Sequence, residues 1–140
     1  MLRVAGSVDD PRASARRVIP ELQDLKTGDS IKIASQLVFE VVAIEPQRLI
    51  TLYGGLDTNT GGKLEPTNPL PEQYLSTSWV WLLEEVDGKS TRLLVNFRQD
   101  YNPTLLNRLV YRISGELGAF LMERRTLLGI KQRVESRVGQ

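Results

Sequence analysis

The stretch VWLLEEVDGKSTRLLVNF, Val80 to Phe97, constrains the fold more than any other because only one register sorts its side chains. Moving a strand by one residue turns every side chain to the opposite face. With Asp87 and Gly88 as a two-residue loop, Trp81 would sit opposite Leu94 and Trp79 opposite Asn96, and both faces would be mixed. A three-residue loop of Asp87, Gly88 and Lys89, with a glycine-assisted bulge, instead collects Trp79, Trp81, Leu83, Leu93, Val95 and Phe97 on one face. Glu84 then lies opposite Arg92 on the other face, with Asn96 and Arg98. The result is a sheet with one strongly apolar, aromatic face that needs a cover.

The rest of the chain fits such a sheet. Short runs rich in β-branched and aromatic residues, cut by turn residues, predict strands over Ser30 to Ala34, Leu37 to Glu45, Arg48 to Tyr53, Tyr74 to Val86 and Ser90 to Arg98. Pro46 suits the second position of a turn, which places Phe39, Val41, Ala43, Ile50 and Leu52 on one face and Glu40, Thr51 and Tyr53 on the other. Asp24 and Asp29 stand beside Gly28, where turn chemistry explains them better than acid or base roles. Between Gly54 and Gln73, twenty residues with four glycines and three prolines read as a loop, either a flap at a pocket mouth or a floppy insertion. Met1 to Arg17 reads as a loose tail, and residues 18–140 as one domain.

The cover comes from the C-terminal region. Asn102 and Pro103 offer a cap and a first-turn proline. At about 100° per residue, Leu106, Leu109, Val110, Ile113, Leu117, Phe120, Leu121, Leu127 and Leu128 form one stripe. Gly115 and Gly118 predict a bend, leaving a long helix from about Gly118 to Arg137. Arg124 falls within the apolar stripe. It either meets the acid group of a ligand, or snorkels to the rim or pairs with a sheet carboxylate such as Glu85. Lys131 points to solvent. The expected class is α+β, an antiparallel sheet of about five strands with a long C-terminal helix packed across one face.

Composition narrows the chemistry. Eighteen basic against seventeen acidic residues give a net charge of +1, so the chain offers no general attraction for nucleic acid. It has neither histidine nor cysteine, which removes His-dependent triads, thiolate nucleophiles and His- or Cys-based metal sites. No metal or cofactor is expected. The opening MLRVAGSVDD reaches Asp9 without a signal-peptide apolar run, and no segment has the length of a membrane span, so the expected location is the cytoplasm.

The stretches VIPELQDLKTGD (18–29), FEVVAIEPQRLITL (39–52), SWVWLLEEVDGKSTRLLVNFR (78–98) and FLMERRTLLGIKQRVE (120–135) resemble, in order and spacing, the START-like superfamily, also called SRPBCC, closest to its polyketide cyclase and lipid-transport members. The resemblance implies a helix-grip fold and a cavity between sheet and helix for a hydrophobic small molecule. Members begin with a strand and two short helices; Met1 to Arg17 carries no such pattern, so the expected fold is a truncated helix-grip. The residues themselves point the same way: Phe39, Trp79, Trp81, Phe97 and Phe120 converge on the space that Arg124 would face, and the rings either line a pocket or fill the core. Three readings follow: a binding module for a lipid- or polyketide-like ligand, a cyclase or dehydrase acting by shape, and a ligand-free interaction module. The missing histidine weighs against the second. An uncovered sheet edge, together with the tail, leads to the expectation of a homodimer.

Overall fold

The computed structural model describes residues 2–4, 23–32, 38–65, 67–102 and 116–138. The fold is α+β. Strands β1 (Leu2–Val4), β2 (Ser30–Lys32), β3 (Val38–Glu45), β4 (Leu49–Asp57), β5 (Tyr74–Glu85) and β6 (Thr91–Tyr101) form one open sheet in chain order, and helix α1 (Glu116–Val138) follows. β2 to β6 are an antiparallel meander. β1 adds to its edge in parallel, with Leu2 beside Ser30. These three residues lie in the stretch expected as a loose tail; the remainder of residues 1–17 lies outside the described residues, as do the ends of the first two expected strands at Ala34 and Leu37. The chain divides into two units, Met1–Tyr101 and Asn102–Gln140.

The β5–β6 hairpin has the expected register. Trp79 pairs with Phe97, Trp81 with Val95, Leu83 with Leu93 and Glu84 with Arg92. Its loop is Asp87 to Lys89, closed by the Val86 N–H donating to the Ser90 carbonyl at 2.9 Å. No bulge is needed, since pairing is continuous from Leu75 to Glu85 and Gly88 reverses the chain at φ 58. The β3–β4 loop repeats this plan. The Arg48 N–H donates to the Glu45 carbonyl at 3.1 Å, Pro46 holds the second turn position, and Gln47 holds the third at φ 60, the pattern of a type II turn.

Two expectations about this half of the sheet are corrected. A register shift between Val41 and Ala43 sets Ala43 opposite Thr51 and Ile44 opposite Ile50. The extra residue carries Ile44, not Ala43, onto the face of Val41 and Leu52. β4 also continues beyond Tyr53 through Gly54 and Gly55 to Asp57. These glycines belong to the strand because other groups fill the space of a side chain. A Cβ on Gly54 would lie 2.9 Å from the Val38 carbonyl and 3.0 Å from the Phe39 ring, and one on Gly55 would lie 2.8 Å from the Leu75 carbonyl and 2.9 Å from Leu64 Cδ1.

The first part of the long loop is therefore a built element, neither a floppy insertion nor a free flap. Asp57 Oδ1 accepts the N–H groups of Asn59 and Thr60, and the Asp57 N–H donates to the Gly62 carbonyl at 2.8 Å. Lys63 bridges to Leu56, and the Leu64 N–H donates to the Gly55 carbonyl, which drives the Leu64 side chain to 7% exposure against the sheet.

The core of the sheet unit is Phe39, Val41, Leu52 and Trp79, with Leu25, Ile31, Ile44, Ile50, Trp81, Val95 and Phe97 packed around it. Burying each large side chain contributes about 1.5 to 3 kcal/mol. Asp29 closes the turn into β2, its carboxylate accepting the Lys26 N–H at 3.1 Å while its own carbonyl accepts the Val41 N–H at 2.8 Å. In α1, Gly118 and Gly129 are both helical, so the chain does not bend at Gly118. The expected cap at Pro103, the apolar positions Leu106 to Ile113 and the bend at Gly115 lie outside the described residues. Among the described residues no helix is long and apolar enough to cross a membrane.

Candidate functional site

Strand alternation and register place aromatic residues from three strands on one face. Trp79 is the centre. Its ring lies 6.0 Å from Phe39, 5.0 Å from Trp81 and 5.7 Å edge-on from Phe97, within the range of favourable aromatic pairs. Phe39 and Trp79 are buried, at 1% and 7% exposure, whereas Trp81 and Phe97 are half-buried. The cluster thus has a closed side, over β3 and β4, and a more open side toward β6. Trp79 Nε1 is buried with no hydrogen-bond partner among the described residues, and a buried unsatisfied N–H costs about 1 to 3 kcal/mol.

Of the six residues expected at the site, the structure brings together Phe39, Trp79, Trp81 and Phe97. Phe120 and Arg124 lie on α1, one helical turn apart and both exposed. Arg124 occupies the middle of a helix side made by Leu117, Phe120, Leu121 and Leu128, all exposed. Ala119, Glu123, Thr126, Leu127 and Ile130 make the half-buried side. The single apolar stripe expected from periodicity is therefore divided, with Leu127 on one side and Leu128 on the other. On the same helix Lys131 reaches Glu135 at 3.7 Å, as a solvent-facing pair one turn apart.

A concavity lies in the long loop. It has a volume of about 220 Å³ and is lined by Asp57, Thr60, Lys63, Leu64 and Glu65, with Asn68 to Pro71 on the far wall. The Lys63 ammonium sits 2.9 Å from Glu40 Oε2 on β3 and 3.4 Å from Glu65 Oε1. The Glu40 hydrogen bond raises the Lys63 pKa, opposed by partial burial and assisted by the charges of Glu40 and Glu65. That is the wrong direction for an amine nucleophile, which needs a lowered pKa. At the strand end, the Tyr74 hydroxyl donates to Asp100 Oδ2 at 3.0 Å, a bond that raises the phenol's pKa and holds it protonated. Nothing in the sequence before Gly62 marks Glu40 as the partner of Lys63. Only the glycine pair within a strand signals that another group approaches there. No group of three or more acidic side chains among the described residues is placed to hold a metal ion.

Together these features define an α+β protein built on an antiparallel meander with one aromatic face and a C-terminal helix. Comparison with protein-family models, with curated proteins and with solved structures gives no significant match.

Proposed function

We propose that this protein binds a small hydrophobic molecule, lipid- or polyketide-like, on the aromatic face of its sheet, as the START-like resemblance implies. The observation that carries the reading is Trp79: a buried indole N–H without a described partner, among three aromatic rings, offers one donor inside an otherwise apolar surface. Apolar walls with few, well-placed polar groups are what small-molecule sites use. Further support comes from the four sequence stretches that resemble the superfamily, two of which, 39–52 and 78–98, supply the β3–β4 and β5–β6 hairpins of the meander. Neither Lys63 nor Tyr74, whose pKa values are both raised, is poised as a nucleophile or base at neutral pH. A cytoplasmic location belongs to the same proposal.

An environment-sensitive hydrophobic dye tests this directly. It is expected to bind the folded protein at about one site, and Trp81→Ala is expected to reduce the signal while far-UV circular dichroism is retained. A folded protein that ignores the dye and a panel of fatty acids and aromatic polyketides would show that the rings fill a core and nothing more.

A further inference from the structure

β6 is the last strand of the sheet, and among the described residues it pairs only with β5. Because Val86 and Ser90 form a hydrogen-bonded pair, alternation directs the backbone groups of even-numbered β6 residues toward β5. Those of Leu93, Val95, Phe97 and Gln99 then point along the outer edge. The Tyr101 N–H fits the same parity and is taken by the Asp100 side chain at 3.0 Å, which ends the open edge. An edge of this length is a template for another strand. Its face toward the aromatic cluster is half-buried, whereas Leu94, Asn96 and Arg98 on the other face are exposed.

The side chains of this edge specify their own partner. We propose that two copies pair antiparallel through β6, about a two-fold axis at Asn96, into one continuous sheet. Asn96 is the midpoint of Thr91–Tyr101, so this register overlaps the whole strand. It sets Arg92 opposite Asp100 of the second copy, twice by symmetry, and Val95 opposite Phe97 on the aromatic face. The outward-pointing groups meet in hydrogen-bonded pairs, Val95 with Phe97 and Leu93 with Gln99. Moving the axis to Val95 would oppose Arg92 and Arg98, a like-charge pair. Moving it to Phe97 would oppose Leu94 and Asp100 and leave Arg92 beyond the end of the partner strand. Asp100 already accepts from Tyr74 and Tyr101, and a carboxylate has lone pairs left for an arginine fork. The Arg92 contact with Glu84, at 3.8 Å between exposed groups, is weak enough to yield.

The chain has no cysteine, so a single introduced thiol reports the register without background. In the proposed dimer the two Asn96 residues form a non-hydrogen-bonded pair with Cα atoms about 4.5 Å apart, within disulfide reach. Mild oxidation of Asn96→Cys is expected to give covalent dimer, whereas Leu94→Cys, four residues out of register with its own copy, is expected to give almost none. In light scattering, Arg92→Asp is expected to raise the dimer dissociation constant about tenfold or more, and Arg92→Asp combined with Asp100→Arg to restore it. A monomer at all concentrations, cross-linking at residue 94 as efficient as at 96, or a dimer indifferent to Arg92→Asp would each overturn the proposal. Should Arg92→Asp fail to fold by circular dichroism, the contrast between the two cysteine variants decides it alone.

Discussion

At the scale of residues, Gln47 holds a left-handed conformation that suits glycine. For a residue with a side chain this costs about 1 to 2 kcal/mol, partly offset by the greater unfolded-state freedom of glycine. Gln47→Gly is therefore expected to stabilise the sheet by about 0.5 to 1 kcal/mol in denaturant unfolding. Gly54→Ala is expected to do the reverse, losing about 1 to 3 kcal/mol, because the added methyl meets the Val38 carbonyl and the Phe39 ring. Asp57 and Asp87 each lie below the ordinary 3.8, held there chiefly by the Asn59 N–H and by the Ser90 side chain respectively. A lowered carboxylate contributes stability that is present above its unfolded value and lost as pH falls through its folded value. Stability is thus expected to decline below pH 3.8, and Asp57→Asn, which keeps the turn, to flatten that decline in thermal melts across pH. The raised Lys63 and Tyr74 act in the opposite sense, contributing below 10.5 and 10.0 and losing that contribution as pH rises through their folded values.

Among the elements, the loop after β4 is the one whose removal has the clearest consequence. Leu64→Ala is expected to cost about 2 to 5 kcal/mol, since its side chain covers the Gly55 backbone, and to expose the segment to proteolysis before the sheet unfolds. This loop also shows where the sequence stops being readable. The β5–β6 register was legible in full because two tryptophans and a phenylalanine can share a face in only one alignment around Asp87 and Gly88. The turn at Pro46 was legible for the fixed φ of proline. The bulge at Val42 was not, because Val41, Val42, Ala43 and Ile44 are all apolar and no alternation marks an extra residue. The extension of β4 was hidden too, since Gly54 and Gly55 have weak strand preference and earn their place only through Phe39 and Leu64, distant in sequence. Four of the six expected site residues were gathered by strand alternation alone. Helical periodicity placed Arg124 amid apolar residues but did not show that Leu127 and Leu128 belong to different sides.

At the scale of the whole molecule, the sheet and the C-terminal segment are distinct units, and the chain's two tryptophans both belong to the first. Helix α1 has none. Intrinsic fluorescence therefore watches the sheet while far-UV circular dichroism is weighted toward the helix. Thermal transitions followed by the two signals are expected to coincide if the units unfold as one, and to separate if each melts alone. Trp79 and Trp81, with ring centres 5.0 Å apart and tilted by 50°, are also close enough for their excited states to couple. The aromatic face is in this sense a built-in optical gauge: its emission colour and near-ultraviolet dichroism will register an occupant before any label is attached.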